Sequence, residues 1–241
     1  YFIVNYPTCD LKVICAGKPD LAMSDSSDLR EEATAVVKQY IEHGRGAESS
    51  AKVYSDSGAK YDQYMEVLNY NAPRKTAEIV AELLKDNFGA KILDVGAGTG
   101  LAGAELVKLG YKNLDAVDAA EGLLSVAKQR QIYDKVVCQF VGNEKLLFDN
   151  DTYDLALSCG ALQENHLPLE AFQDIIRVVK SGGYIVTVFR EEAEKVPWYK
   201  EGVVAYMTGL EKEGLWKLHL RTTFPNCIAD KDGLALVHGV L

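Results

Sequence analysis

The stretch KILDVGAGTG, Lys91 to Gly100, sets three glycines directly behind a short apolar run. Ile92, Leu93 and Val95 read as a buried strand, and Gly96, Gly98 and Gly100 as a tight turn stripped of side chains. Bare backbone at alternate positions lets a ligand touch the main chain, and a helix opening at Leu101 aims its free N–H groups at something negative. In an open parallel sheet, ligands bind outside the carboxyl ends of the strands where strand order reverses, and this corner has that form.

Downstream, β-rich runs alternate with helical ones. LAGAELVKLG and EGLLSVAKQR read as helices around the strand NLDAVD; KVVCQFV and YDLALSC are strands; LEAFQDIIRVVK is a helix and YIVTVFR a strand. This spacing predicts right-handed βαβ crossovers and a mostly parallel, Rossmann-like sheet covered on both faces. A helical stretch, Trp198 to Leu215, follows. KLHLRTTF and LALVHGVL, joined by the turn-like Ala229 to Gly233, then pair antiparallel and bring the sheet to seven strands. The fold class is α/β.

Upstream, Leu29, Ala33, Val36, Val37, Tyr40 and Ile41 form one apolar stripe on a helix from Asp28 to His43, with Asp28 and Glu31 as a capping box and Gly44 as the stop. HGRGAESS reads as a linker, and SDSGAKYDQYMEVLNYN as a short helix and loop. Asn71 is the expected N-cap of a helix from Ala72, with Pro73 in its first turn. The expected organisation is an N-terminal extension with an amphipathic helix over 1–45 and one domain over 46–241, divided into a leading segment (46–71), a core that holds the glycine corner (72–191), and a closing segment with a hairpin (192–241).

The 241 residues carry 26 Lys+Arg against 35 Asp+Glu, a formal charge of -9. Such a surface repels polyanions, so nucleic acid and acidic membranes are not expected partners. No apolar run is long enough for a membrane span. The opening YFIVNYPTCDLKVICAG lacks a basic n-region and is broken by Asn5, Pro7, Asp10 and Lys12, so it does not read as a signal peptide. The 5 cysteines form no C-x-x-C pair and have no His at ligand spacing, as in a reduced, cytoplasmic protein without structural metal.

Two ligand classes use such a glycine corner. Dinucleotide binders need G-x-G-x-x-G, but the third glycine comes one place early, at Gly100, and Leu101 stands where it belongs. Asp94 at the strand end disfavours a pyrophosphate and suits an ammonium or sulfonium charge. Here DVGAGTG resembles the first motif of the class I S-adenosylmethionine-dependent methyltransferases. KSGGYIV resembles a later element of that family, with Ser181 replacing its usual Pro. The order and spacing of the elements match over about Ala72 to Glu191. YDQYMEVLNYNAP and WYKEGVVAYMTGLEKEGLW extend the likeness to the methyltransferase-like protein twenty-seven group; residues 1–45 lie outside it.

The resemblance implies S-adenosylmethionine as cofactor. It implies a site made of Asp94, Gly96, Ala97, Gly98 and Gly100 at the first strand, with Asp118 and Ala119 at the ribose. Asn143 or Glu144 would receive the adenine amino group, Ser158 and Cys159 would line the methionine side, and Tyr61, with Tyr64, would cap the ligand. Asn143 stands where the family usually has Asp. Asp118 alone does not choose between the cofactor classes, since it could hold the ribose in either. Glu164 and His166 in QENHLP are candidates to take a proton from an acceptor; a solvent-facing loop is the plainer reading of that His. Trp198 and Tyr199 sit where such folds place a substrate cover.

The expected function is methyl transfer to a small molecule or protein side chain, in the cytoplasm or nucleus. Alternatives are a non-catalytic interaction module with this fold, or an NAD-dependent oxidoreductase.

Overall fold

The computed structural model describes residues 23–40, 44, 46–142, 144–163, 166–195 and 202–241. The opening segment, Asn143, Glu164, Trp198 and Tyr199 lie outside the described residues.

Seven strands form one sheet in the order β3-β2-β1-β4-β5-β7-β6. They are β1 (Lys91–Val95), β2 (Asn113–Asp118), β3 (Lys135–Cys138), β4 (Tyr153–Cys159), β5 (Val179–Arg190), β6 (Trp216–Ile228) and β7 (Lys231–Val240). The pairs β1–β2, β2–β3, β1–β4 and β4–β5 are parallel. β7 runs antiparallel to both β5 and β6, so the hairpin inserts its second strand and leaves its first at the edge. The chain winds outward from β1 to β3 and returns to the other side of β1 at β4. The strand order therefore reverses at the carboxyl ends of β1 and β4, where a cleft must open.

Alternation along β1 assigns its residues to two layers. Ile92 packs under helices α3 (Ala72–Leu84) and α4 (Leu101–Lys108), whereas Leu93 and Val95 join the core beneath α6 (Ala171–Val178) and α7 (Val204–Lys212). Both layers are apolar, and each fully buried Leu or Ile contributes about 1.5–3 kcal/mol. Asp94 shares the face of Ile92, which carries its carboxylate toward α4 rather than into the α6 layer.

Several boundaries differ from expectation. Helix α1 starts at Met23, so Asp28 lies inside it and no capping box forms there. The second half of the supposed linker, from Ala47, and the supposed short helix belong to one 21-residue helix, α2 (Ala47–Val67). Its buried face includes Ser50 and Gly58 beside Tyr64 and Met65, so small polar residues hide the apolar period. Asn71 makes no cap hydrogen bond; its Oδ1 accepts Arg74 Nε at 2.9 Å instead. β3 stops at Cys138 rather than Val141; the Gln139 amide still donates to the Asp118 carbonyl at 2.9 Å, while its side chain bonds the backbone of Lys145 and Leu147. Helix α6 stops at Val178, and Val179 already pairs with Tyr153.

The α1–α2 pair forms its own cluster around Ala33, Tyr64, Met65 and Leu68. Glu32 on α1 accepts Lys60 Nζ at 2.8 Å and the Tyr64 hydroxyl at 2.7 Å, and Arg30 donates to the Val67 carbonyl at 2.7 Å. Helix α2 is thereby anchored on one flank while its other flank overhangs the cleft. Among the described residues no helix is long and apolar enough to cross a membrane.

Candidate functional site

At the switch point lies a cavity of about 620 Å³, walled by the glycine loop, the end of β2, the start of α5 (Glu121–Gln129), the turn after β4 and the inner face of α2. The loop is shaped by backbone conformation. Gly96, Gly98 and Gly100 have φ of 70, 56 and 84°, which side chains other than glycine rarely adopt. A Cβ on Gly96 would also lie 2.6 Å from Ala161 Cβ. Gly96 and Gly98 face the cavity; Gly100 caps α4 from beneath the Tyr133 ring and does not.

Asp118 closes the turn. Gly98 N–H donates to its Oδ2 at 2.8 Å and Ala120 N–H to its Oδ1 at 2.7 Å. Each oxygen keeps a lone pair, and the side chain lines the cavity with Ala119 and Ala120 beside it. Burial raises the Asp118 carboxyl above its ordinary range, against the lowering effect of those amide donors.

Asp94 is buried behind the loop, in a recess of about 40 Å³ that Ala97, Thr99 and Cys159 also line. Desolvation pushes its carboxyl up to about 7, with the Tyr133 hydroxyl, donating at 2.7 Å, pulling the other way. An acid held near neutrality accepts a cation at little cost in ionisation, because the incoming charge replaces the missing solvent.

The remaining expected residues divide. Tyr61 and Cys159 line both spaces. Burial holds the Cys159 thiol at about 11, so it packs as a thiol rather than acting as a thiolate. Ser158 is buried and outside the cavity wall. Glu144 is exposed and also outside it; Phe140 and Val141 present an apolar face to the cavity instead. Tyr64 does not cap the site, because it points to Glu32. His166 lines the cavity, with its Nε2 2.9 Å from the Tyr54 hydroxyl and its ring edge-on to Tyr54 at 5.3 Å.

Tyr54, Tyr70 and Tyr133 were not expected here. Tyr54 stacks on Tyr40 at 4.1 Å and is tilted against Tyr61 at 6.2 Å, making an aromatic wall over the cavity. Tyr70 sets its hydroxyl 3.6 Å from Cys159 Sγ. The sequence does carry five tyrosines from Tyr40 to Tyr70, a density that could have marked an aromatic wall.

Residues 93–187 match the family model described as a methyltransferase domain. The chain is 34% identical over 158 residues to Methyltransferase-like protein 27 of Homo sapiens, a match covering 65% of this chain and 64% of that protein. It is 29% identical over 136 residues to Demethylmenaquinone methyltransferase of Paenarthrobacter aurescens, covering 56% and 53%. A TehB-like SAM-dependent methyltransferase from Corynebacterium glutamicum shares the fold with a TM-score of 0.56 at 21% identity, covering 77% of this chain and 99% of that one. The matches span between about half and just under two thirds of the length of these two curated relatives.

Proposed function

We propose that the chain, whose residues 93–187 match a methyltransferase domain, is a class I methyltransferase that transfers a methyl group from S-adenosylmethionine to a small molecule or a protein side chain. The observation that carries the reading is the pairing of two carboxylates, the buried Asp94 and the half-buried Asp118, on either side of bare backbone at Gly96 and Gly98. The residues present fit the donor. Asp118 would receive the ribose hydroxyls on its remaining lone pairs, Asp94 would face the cationic amino-acid end, and Leu123, Phe140 and Val141 would enclose the adenine ring. Glu144 has no part in this arrangement. Asn143 keeps its proposed adenine contact on the strength of the resemblance alone.

The sulfonium supplies a methyl group whose leaving group is a neutral thioether. The protein has to align the acceptor and exclude water, and a dedicated acid or base is optional. Tyr54 and Tyr61 would exclude water from above, and Cys159 and Gly160 would bound the reacting end. His166 would accept a proton from a hydroxyl or amine acceptor; its hydrogen bond to Tyr54 at the cavity wall supports that role. Glu164 shares that loop and stays a second candidate on sequence alone.

A location in the cytoplasm or nucleus belongs to the same reading; Cys138, Cys159 and Cys227 are free thiols, as a reducing compartment favours. The net charge of -9 argues against nucleic acid as the acceptor.

Incubation of the purified chain with methyl-labelled S-adenosylmethionine and a cell extract, fractionated into small molecules and proteins, tests the reading. Label in either fraction that disappears with Asp118→Ala supports it and names the acceptor class. Label in neither contradicts catalysis and favours an interaction module.

A further inference from the structure

Three side chains tie the overhanging helix α2 to the glycine loop. Asp62 on α2 accepts the Thr99 hydroxyl at 2.6 Å through Oδ1 and the Arg130 guanidinium through Oδ2. Arg130, the residue that ends α5, also donates from Nε to the Thr99 carbonyl at 2.7 Å. The three residues make a closed ring, and its loop member sits between Gly98 and Gly100.

Around this ring the seat of α2 is made of main chain. A Cβ on Gly58 would lie 2.6 Å from the Gly122 carbonyl oxygen, and one on Gly122 would lie 2.1 Å from the Ser55 carbonyl oxygen. Helix α2 therefore rests backbone to backbone on the first turn of α5, and the ring joins it to the last. Helix α5 in turn begins beside Asp118, through the Ala120 amide. Asp118 fixes the Gly98 amide on one side of Thr99, and Arg130 fixes the Thr99 carbonyl on the other.

We propose that Arg130 and Asp62 are positioning residues that couple the seating of α2 to occupancy of the glycine loop, an inference that rests on the cofactor site proposed above. A ligand lying on Gly96 and Gly98 holds the Thr99 peptide, that peptide holds Arg130, and Arg130 holds Asp62. Helix α2 then keeps Tyr54 and Tyr61 over the cavity. Coupling is reciprocal, so loosening α2 weakens the ligand.

Amide hydrogen exchange of the full chain, with and without S-adenosylmethionine, tests this alongside calorimetric affinity. In the unmodified chain the ligand slows exchange both in the loop and along α2. In Arg130→Met at saturating ligand the loop still slows, the slowing along α2 is lost, and affinity falls about five- to tenfold. Asp62→Asn gives the same pattern, and the double variant is no weaker than the worse single one, as expected of residues acting as one unit. Equal ligand-induced protection of α2 in the variants, unchanged affinity, or additive losses would each overturn the coupling while leaving the cofactor site standing. An unmodified chain that binds no S-adenosylmethionine overturns the site itself and the coupling with it. Should Arg130→Met fail to fold, Asp62→Asn, altered at a side chain that is 37% exposed, decides alone.

Discussion

The Tyr133 hydroxyl reaches Asp94 Oδ2 at 2.7 Å by passing over Gly103, where an added Cβ would lie 2.3 Å from that hydroxyl. Tyr133 is thus the one donor side chain placed on this carboxylate among the described hydrogen bonds. Its contact eases ionisation of the acid, against the larger opposing effect of desolvation.

Asp94 titrates near 7 in the free protein, and a cationic ligand favours its ionised form. Affinity for S-adenosylmethionine should therefore be full above that value and fall as pH drops below it, approaching about tenfold per pH unit for one linked proton. Asp94→Asn should flatten the profile. Tyr133→Phe, which removes a donor that lowers the pKa, should move the fall to higher pH. Calorimetry across pH 5.5 to 8.5 checks all three; a flat profile in the unmodified chain contradicts an Asp94 contact.

Asp118→Ala removes two amide partners and the proposed ribose acceptor together. Loss of a charged hydrogen bond costs about 1.5–3 kcal/mol, so binding should weaken by roughly 10- to 150-fold. Unchanged affinity would show that the ribose lies elsewhere.

Gly122→Ala drives a methyl group into the Ser55 carbonyl, which is main chain and cannot rotate aside. Overpacking of this kind costs about 1–3 kcal/mol. Chemical denaturation should report that loss, and hydrogen exchange should place it in α2 and α5. A neutral substitution would mean that the two helices separate more easily than their contact distance implies.

His238 is buried, stacked on Trp216 at 3.9 Å, and desolvation lowers its pKa to about 4. Its folded pKa lies below its unfolded value of about 6.5, so the stability it confers is complete above that unfolded value and is lost as pH falls toward 4. The loss is at most about 3 kcal/mol. Asp94 acts in the opposite sense, since its raised pKa makes the folded state bind a proton first between 7 and the ordinary carboxylate range. His238→Phe keeps the stacked ring and removes the titration. Its unfolding free energy should decline less than that of the unmodified chain between pH 6.5 and 4.5, and parallel declines would contradict the assignment.

From Lys91 to Arg190 the sequence exposes its own architecture. Continuous apolar runs such as ILDV and LALS specify buried parallel strands, and each is followed by a helical period or a glycine turn. The glycine corner, Asp94 and Asp118 were legible because chemistry and spacing sit within one short segment. The reach of Tyr133 to Asp94 and the Asp62–Arg130–Thr99 ring were not, since each joins residues more than thirty positions apart, and the tyrosine wall was not, since it stacks Tyr40 of one helix on Tyr54 of the next. Helix α2 was obscured for another reason. Ser50, Ser55 and Gly58 are weak helix formers, and their small size, which lets α2 seat on α5, also removes the apolar signal. Glu144 is exposed and lies off the cavity wall, a placement that no local pattern around it signals.

Methyl transfer by this chain requires that the cavity at the β1–β4 switch point hold S-adenosylmethionine. Calorimetric titration of the purified chain with S-adenosylmethionine, its demethylated product and NAD measures this directly. The two sulfur ligands should bind at one site per chain, with NAD giving no heat. Binding of NAD alone, or of none of the three, would contradict the account.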